Sequence, residues 1–267
     1  MAINSKTKAF RIERASELEQ FARVLQKSGI CDPSYIFDAA KQLRDFEFVP
    51  KIEKDDPVDY NFWGYDSGEI IFYFENSPRH TYPVNASNLS LTLTVKVIAD
   101  YNDFQAICDP YKHLEFNIII NGGLFDKSSQ ETRELVTSYH LDRHIFKEGD
   151  NEPEDCHPIY HLQFGGRKLE KSNRDFGNAL ILDAPRVAHY PMDIILGVDF
   201  ILSNFFSKTW RSLRRDGEYI NLVKDYQQYF WKPYAHSSAS HWKPYTHHDV
   251  NWDPVNIWPQ LLLLSNG

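Results

Sequence analysis

The residues best suited to chemistry lie in one short segment, residues 156–166, with the sequence CHPIYHLQFGG. On a β-strand, His157, His161 and Gln163 project from one face, because alternate side chains of a strand point to the same side. Two imidazoles and an amide on one face are able to transfer protons, hold a phosphate or bind a metal. A structural, hydrogen-bonded role for these histidines is the competing interpretation.

A metal site is not predicted. Zinc needs three or four ligands, and a His-x-x-x-His pair on a strand has its α-carbons roughly 13 Å apart. The cysteines, Cys31, Cys108 and Cys156, are far apart and form no Cys-x-x-Cys. We therefore expect no metal and no cofactor, and reduced thiols of the kind found in the cytoplasm.

A second polar segment, residues 183–193, runs from a predicted strand end into a predicted helix N-terminus and contains Arg186 and His189. Loops after strands and helix N-termini often bind anions. The alternative is a structural role, in which Arg186 pairs with Asp183 and His189 caps the helix. The candidate catalytic set is His157, His161, Gln163, Arg186 and His189.

A basic cluster around Trp210 is the candidate nucleic-acid-binding group, because it mixes cations with an aromatic ring. It consists of Lys208, Arg211, Arg214 and Arg215. Acidic neighbours and a formal net charge of -8 make nucleic acid the weaker of the expected partners. The sequence contains no GxxxxGK[ST], GxGxxG, GxSxG or HExxH motif.

The elements that must position these residues begin with a helical hairpin over about residues 14–46. Ser16 and Glu19 read as a capping box, apolar residues follow at helical spacing, and Gly29 ends the first helix. Asp32 and Pro33 then start the second helix.

A sheet-rich region is predicted over residues 60–183. Leu89 to Val97 alternates apolar and polar residues, and Gly68 to Glu75 and Leu114 to Asn121 are also strand-like, so the sequence favours an antiparallel meander. We expect a turn at Gly122 and Gly123. A short helix is expected over Gln130 to Leu141, and the remaining strand-like pieces are Pro158 to Phe164 and Asn178 to Asp183.

Helices are predicted over residues 191–230. Pro191 to Phe206 carries an apolar stripe that includes Ile195 and Leu202, and Asp199 is expected on the exposed side of this helix. The segment from Trp231 onward is expected to be irregular. We interpret residues 1–235 as a single domain and 236–267 as an aromatic and His-rich tail.

Several motifs together resemble an uncharacterised bacterial family, a domain of unknown function, over about residues 10–235. They are the runs HPIYHLQFGG and Leu-Asp-x-Pro-Arg, the helix PMDIILGVDFILSNFF and the WKPY ending. The resemblance implies an association with antiviral-defence or toxin-type gene clusters. It implies no activity and no catalytic residues.

The composition predicts an intracellular, cytoplasmic protein without a membrane span, since no long uninterrupted apolar run occurs. The expected fold class is α+β, with an N-terminal helical hairpin, a central antiparallel sheet and C-terminal helices packed on the sheet. The first functional hypothesis is an interaction module or subunit of a bacterial multi-protein system, with a protein partner. The alternative is a His-dependent nuclease or phosphodiesterase.

Overall fold

The computed structural model describes residues 3–78, 80–143, 158–165, 169 and 185–242. The chain begins with the predicted helical hairpin, which consists of α1 (Ser5–Ser28) and α2 (Ser34–Arg44). Gly29 ends α1 in the left-handed conformation, as the sequence indicates. The predicted capping box is wrong, because the N-cap of α1 is Asn4, more than three turns before Ser16, and the Ser16 hydroxyl donates to the carbonyl of Ile12.

The buried guanidinium of Arg11 connects α1 to α2 through hydrogen bonds. It donates to the backbone carbonyls at the end of α2 and beyond it: Leu43, Gln42, Asp45 and Phe48, at 2.8 to 3.1 Å. The last carbonyls of a helix have no partner within the helix, so a side-chain cation from α1 satisfies them. Burial lowers the pKa of Arg11, although this donor remains charged at neutral pH.

One antiparallel sheet forms the centre of the described chain, as predicted. It contains seven strands in the described residues, in the order β1-β3-β4-β5-β6-β7, with β2 also paired to β3. The strands are β1 (Phe62–Asp66), β2 (Ile70–Tyr73), β3 (Ser87–Asp100), β4 (Tyr111–Asp126), β5 (Glu131–Arg143), β6 (Tyr160–Phe164) and β7 (Val187–Ala188). A short helix, α3 (Tyr101–Gln105), connects β3 to β4.

The strand β5 replaces the helix expected over Gln130 to Leu141, so that prediction is wrong. β5 pairs with β4 along its whole length, from Glu131 opposite Asp126 to Asp142 opposite Glu115. Long-range pairing overrides the weak local preference of this segment. The turn expected at Gly122 and Gly123 is also wrong, because β4 continues through both residues to Asp126.

The C-terminal part is helical and continues further than predicted. It consists of α4 (Ile194–Phe205), α5 (Ser207–Leu213), α6 (Gly217–Tyr226), a π-helix (Gln227–Trp231), α7 (Lys232–Ala239) and a 3-10 turn (Ser240–Trp242). The prediction of irregular structure from Trp231 onward is therefore wrong up to residue 242. The expected strand at 178–183 and residues 243–267 lie outside the described residues.

The helix α4 packs on the inner face of the sheet. Ile195 and Leu202 are fully buried, which confirms the predicted apolar stripe. Gly197 lies directly against Phe116 of β4, where a Cβ atom would come within 2.3 Å of the phenyl ring. The absence of a side chain at this position lets the helix approach the sheet closely.

Asp199 is buried, and the expectation that it is exposed is wrong. Its exposed fraction is 0%, and its carboxylate accepts hydrogen bonds from the Trp210 indole and the Tyr219 hydroxyl, both at 2.8 Å. The Arg214 guanidinium lies 3.5 Å away. Asp199 therefore connects α4 with α5 and α6, because Trp210 and Arg214 belong to α5 and its C-cap and Tyr219 belongs to α6.

Two further carboxyl groups are shielded from solvent, Asp193 fully and Glu17 in part. Asp193 is the N-cap of α4 and accepts from the backbone N–H of Leu196, and burial raises its pKa to about 7. Glu17 pairs with Arg14 at 2.9 Å and accepts from the Tyr226 hydroxyl. Burial raises the pKa of Glu17 to about 7 despite the neighbouring cation.

The fold class is α+β, as the sequence indicates: a helix pair, an antiparallel sheet and C-terminal helices. Among the described residues, no helix is both long enough and apolar enough to cross a membrane. The helix α7 runs across the boundary expected at residue 235, and the single-domain interpretation of residues 1–235 stays a prediction.

Replacing Asp199 with Ala is expected to lower the free energy of unfolding by about 3 to 5 kcal/mol, because Arg214 and two further donors lose a buried acceptor. Chemical denaturation of the purified variant measures this loss. The control is Asp225→Ala, at an exposed position of α6, with an expected change of about 0.5 kcal/mol or less. A loss below about 1 kcal/mol for Asp199→Ala would contradict the role of the buried carboxylate.

Stability is expected to fall as the pH rises from about 4 to about 7. Folded Asp193 and Glu17 keep their protons to about pH 7, whereas unfolded carboxyls lose them near pH 4, so the folded state binds more protons in this window. Asp193→Asn keeps an N-cap but removes one titration. Its free energy of unfolding should therefore depend less on pH than that of the wild type, by up to roughly 1.4 kcal/mol per pH unit. Equal pH slopes for both proteins would reject this assignment.

Candidate functional site

Two rows of polar side chains cross the outer face of the sheet, which is the face opposite the core-facing residues Leu93, Phe116 and Leu141. The antiparallel register places directly opposite residues in line from strand to strand. The first row is Lys96, Glu115, Asp142 and His161. The second row is Thr94, Asn117, His140 and Gln163.

Three of these side chains converge on one point. One ligand atom from each of His140, Asp142 and His161 lies within 4.8 Å of the other two. The Nε2 atom of His140 is 3.5 Å from Oδ2 of Asp142. Two ligands of a tetrahedral zinc ion are about 3.4 Å apart when each bond is about 2.0 to 2.1 Å, so this pair has nearly the required separation.

The strand order explains why these three meet. His140 and Asp142 are two residues apart on β5, so both point to the outer face. His161 is directly opposite Asp142 on β6. The far end of this pairing is fixed by Ser138 and Gly165, which exchange two hydrogen bonds of 2.8 Å.

The imidazole of His161 is oriented by the backbone. Its Nδ1 lies 3.2 Å from the carbonyl oxygen of Pro158. A carbonyl only accepts hydrogen bonds, so Nδ1 carries the proton and Nε2 of the neutral ring carries the lone pair. Histidine ligands of metal ions commonly have this arrangement, in which the second ring nitrogen donates to a carbonyl group.

Glu115 and His113 extend the titratable cluster along β4. The Nε2 atom of His113 is 2.9 Å from a carboxylate oxygen of Glu115, which is the register partner of Asp142. Burial raises the pKa of Asp142, while His140 and His161 oppose this shift and Glu115 adds to it. The cluster therefore combines partly desolvated carboxylates with imidazoles, as sites of acid/base or metal chemistry do.

The predicted catalytic residues are divided between the two faces of the sheet. His161 and Gln163 lie buried on the outer face, as the predicted alternation requires. Arg186 immediately precedes β7, whose Val187 pairs with Leu162, so the two predicted segments are neighbours. His157 lies outside the described residues.

His189 belongs to the core-facing side. Its ring packs edge-on against Phe200 of α4, and its Nδ1 lies 2.8 Å from the carbonyl oxygen of Tyr190. Burial lowers the pKa of His189. The structure therefore separates His189 from His161, although the two residues belong to adjacent strand segments.

The predicted nucleic-acid-binding cluster is also divided. Arg214 is largely buried, pairs with Asp199 and stacks on the Trp210 ring at 4.8 Å. Lys208, Arg211 and Arg215 are exposed on and beside α5. Arg214 thus has a structural position, and a role of the other three in binding phosphate stays a prediction.

The sequence analysis missed His140 and Asp142. His140 lies in the segment expected to be a helix and Asp142 directly follows it; in a helix, a His-x-Asp spacing puts the two side chains on different faces. On a strand the same spacing puts them side by side. Recognising the β-branched residues Thr132, Val136 and Thr137 as strand formers would have indicated this pair.

No protein-family model, curated protein or solved structure matches this chain. The expected relationship to a bacterial domain-of-unknown-function family, with its implied link to defence or toxin-type gene clusters, stays a prediction.

Proposed function

We propose that this protein is a metal-dependent hydrolase of phosphodiesters, with a divalent ion of the zinc type held by His140, Asp142 and His161. The observation that carries the proposal is the convergence of these three ligand atoms on the outer face of the sheet. The proposal departs from the sequence expectation of no metal. That expectation considered only ligands along one strand, whereas this set joins two strands.

The number and type of ligands favour catalysis over a purely structural ion. Within the described parts of the chain this set has three ligands, the number that catalytic zinc sites use together with one position for water or substrate, whereas structural sites use four. An ion bound in this way lowers the pKa of its water and polarises a phosphoryl oxygen. Glu115, opposite Asp142 in the register, is the candidate for a general base.

Two cations on either side of the ligand set would contact an anionic substrate. Lys96 continues the row that contains Glu115 and Asp142, and Arg186 lies at the edge of the sheet beside β6. A phosphodiester needs a metal ion or cations to neutralise charge that develops on its oxygens. This proposal keeps His161, Gln163 and Arg186 of the predicted phosphodiesterase, but makes His161 a ligand and not an acid/base group.

The same ligand set also supports a second candidate function. Two histidines and one carboxylate with open positions are the ligands of non-haem iron oxygenases. The His140-x-Asp142 pair on one strand with His161 on its neighbour is the specific observation that favours it. Iron-dependent oxygen uptake, with no hydrolysis of phosphodiesters, would identify this alternative.

The interaction-module hypothesis stays a prediction. Two features of the sequence favour it: abundant apolar and aromatic residues, and the lack of a complete catalytic set. The cluster of His140, Asp142 and His161 weakens the second reason, since it brings together residues that are up to 21 positions apart in the chain.

We expect the purified protein to bind one zinc or cobalt ion per chain, which titration calorimetry and the visible spectrum of the cobalt form measure. His140→Ala, Asp142→Ala and His161→Ala should each weaken binding by about 100-fold or more, because each removes a ligand. The control is His80→Asn, at an exposed position whose φ of 66° Asn tolerates. Unchanged affinity in all three ligand variants would exclude this site.

The metal-loaded protein is expected to hydrolyse bis(p-nitrophenyl) phosphate. Asp142→Asn should reduce turnover by about two to four orders of magnitude, while the unfolding midpoint stays close to that of the wild type. Chelation should abolish the activity, and added zinc should restore it. If the protein binds the ion through His161 but hydrolyses no phosphodiester, the metal site is supported and the hydrolase function is refuted.

A further inference from the structure

A cleft lined by other residues than the metal ligands has the features of a ligand site, and its proposed role does not depend on the hydrolase. Its volume is about 520 Å³, within the range of roughly 300 to 1,000 Å³ of small-molecule sites. We call it the Ile107 cleft. It lies between the loop after α3 and the C-terminal helices, and its main lining residues are Phe104, Ile107, Pro110, Tyr229, Lys232 and His236.

Ile107 has a backbone conformation that is unfavourable for its side chain. It follows α3 with a φ of 58°, and its N–H donates to the carbonyl of Phe104 while that of Cys108 donates to Asp103. These two bonds form a Schellman motif, in which the residue at the position of Ile107 is usually glycine. A β-branched residue with positive φ is a genuine outlier, and such strain concentrates at functional sites.

The strained isoleucine is also conspicuously exposed. Its exposed fraction is 75%, and it lies between the cleft and an adjoining cavity of about 410 Å³. An exposed apolar side chain at the boundary of two adjoining cavities is expected where a ligand covers it.

The opposite wall is built from irregular helix. The π-helix over Gln227–Trp231 brings Gln228 and Tyr229 to the cleft. Such π-helical turns are rare in proteins overall, but those that occur are often found at functional sites. Lys232 and His236 follow on α7, one turn apart and both exposed. None of the described residues that line the Ile107 cleft is acidic, so this rim favours an anion although the whole chain is acidic.

We propose that the Ile107 cleft binds a planar aromatic anion. The rings of Phe104 and Tyr229, together with Pro110 and Ile107, contact the aromatic body, since flat rings stack on aromatic and proline surfaces. Lys232 and His236 contact the anionic group at the rim. The strain at Ile107 serves to hold an apolar side chain against the ligand.

The test uses 8-anilinonaphthalene-1-sulfonate, a fluorescent aromatic anion, with the folded full-length protein. We expect saturable binding of one dye per chain. The double variant Lys232→Ala/His236→Ala should weaken binding by about five- to tenfold, because a cation and a hydrogen-bonding imidazole are lost. The controls are Lys208→Ala, on the exposed side of α5, and Asp142→Asn at the hydrolase site, and both should bind the dye as the wild type does.

Ile107→Gly separates a binding role from a structural one. Glycine relieves the strain of the Schellman motif, so the unfolding midpoint should rise or stay constant. Dye affinity should nevertheless fall by about tenfold, because the apolar contact is lost. A purely structural Ile107 would give the opposite result, a lower midpoint with unchanged dye affinity.

Cys108 gives a readout at the site itself, because it is exposed and lines the cleft. Saturating dye should slow its reaction with a thiol reagent, as measured by peptide mapping. The proposal is overturned if the dye binds the wild type and both cleft variants equally, or if Cys108 is not protected. Equal affinity for the uncharged N-phenyl-1-naphthylamine would refute the requirement for an anion.

Discussion

The antiparallel register between β5 and β6 determines which side chains share each face of the sheet. With Asp142 opposite His161, the leucines Leu141 and Leu162 face the core and the imidazoles face outward. A shift of one residue would put His161 into the core and Leu162 outside, because side chains alternate along a strand. The burial of Leu141 and the paired bonds between Ser138 and Gly165 thus hold the candidate metal ligands in place.

In the helical layers, buried charges determine which helices contact each other. Arg11 satisfies the terminal carbonyls of α2, and Asp199 gathers donors from α5 and α6. Burying an ion costs free energy, and only several well-directed hydrogen bonds offset that cost. Such groups therefore add specificity to helix packing, because each buried charge is satisfied only when its partners are correctly placed. Apolar contacts alone would allow several arrangements of the same helices.

The sequence predicted those parts of the fold whose periodicity is strong, such as the helical hairpin, the central strand around Leu93 and the apolar helix before Phe206. It failed where tertiary contacts override local preference, and the β5 strand shows the consequence for function. With a helix expected over Gln130 to Leu141, neither His140 nor Asp142 was predicted as a neighbour of His161. Asp199 was misplaced because its three donors, Trp210, Arg214 and Tyr219, come from elements that follow it in the chain.

The strained conformation of Ile107 persists because the loop after α3 is held at its other end by β5 and β6. Asp109 accepts hydrogen bonds from Arg143 of β5 at 3.0 Å and from the Tyr160 hydroxyl of β6. Arg143 follows Asp142 and Tyr160 precedes His161, so each strand presents one residue to the loop and the next to the outer face. A strained conformation survives when surrounding contacts over-determine it. The paired ends of β5 and β6 therefore position both the outer-face cluster and the wall of the Ile107 cleft.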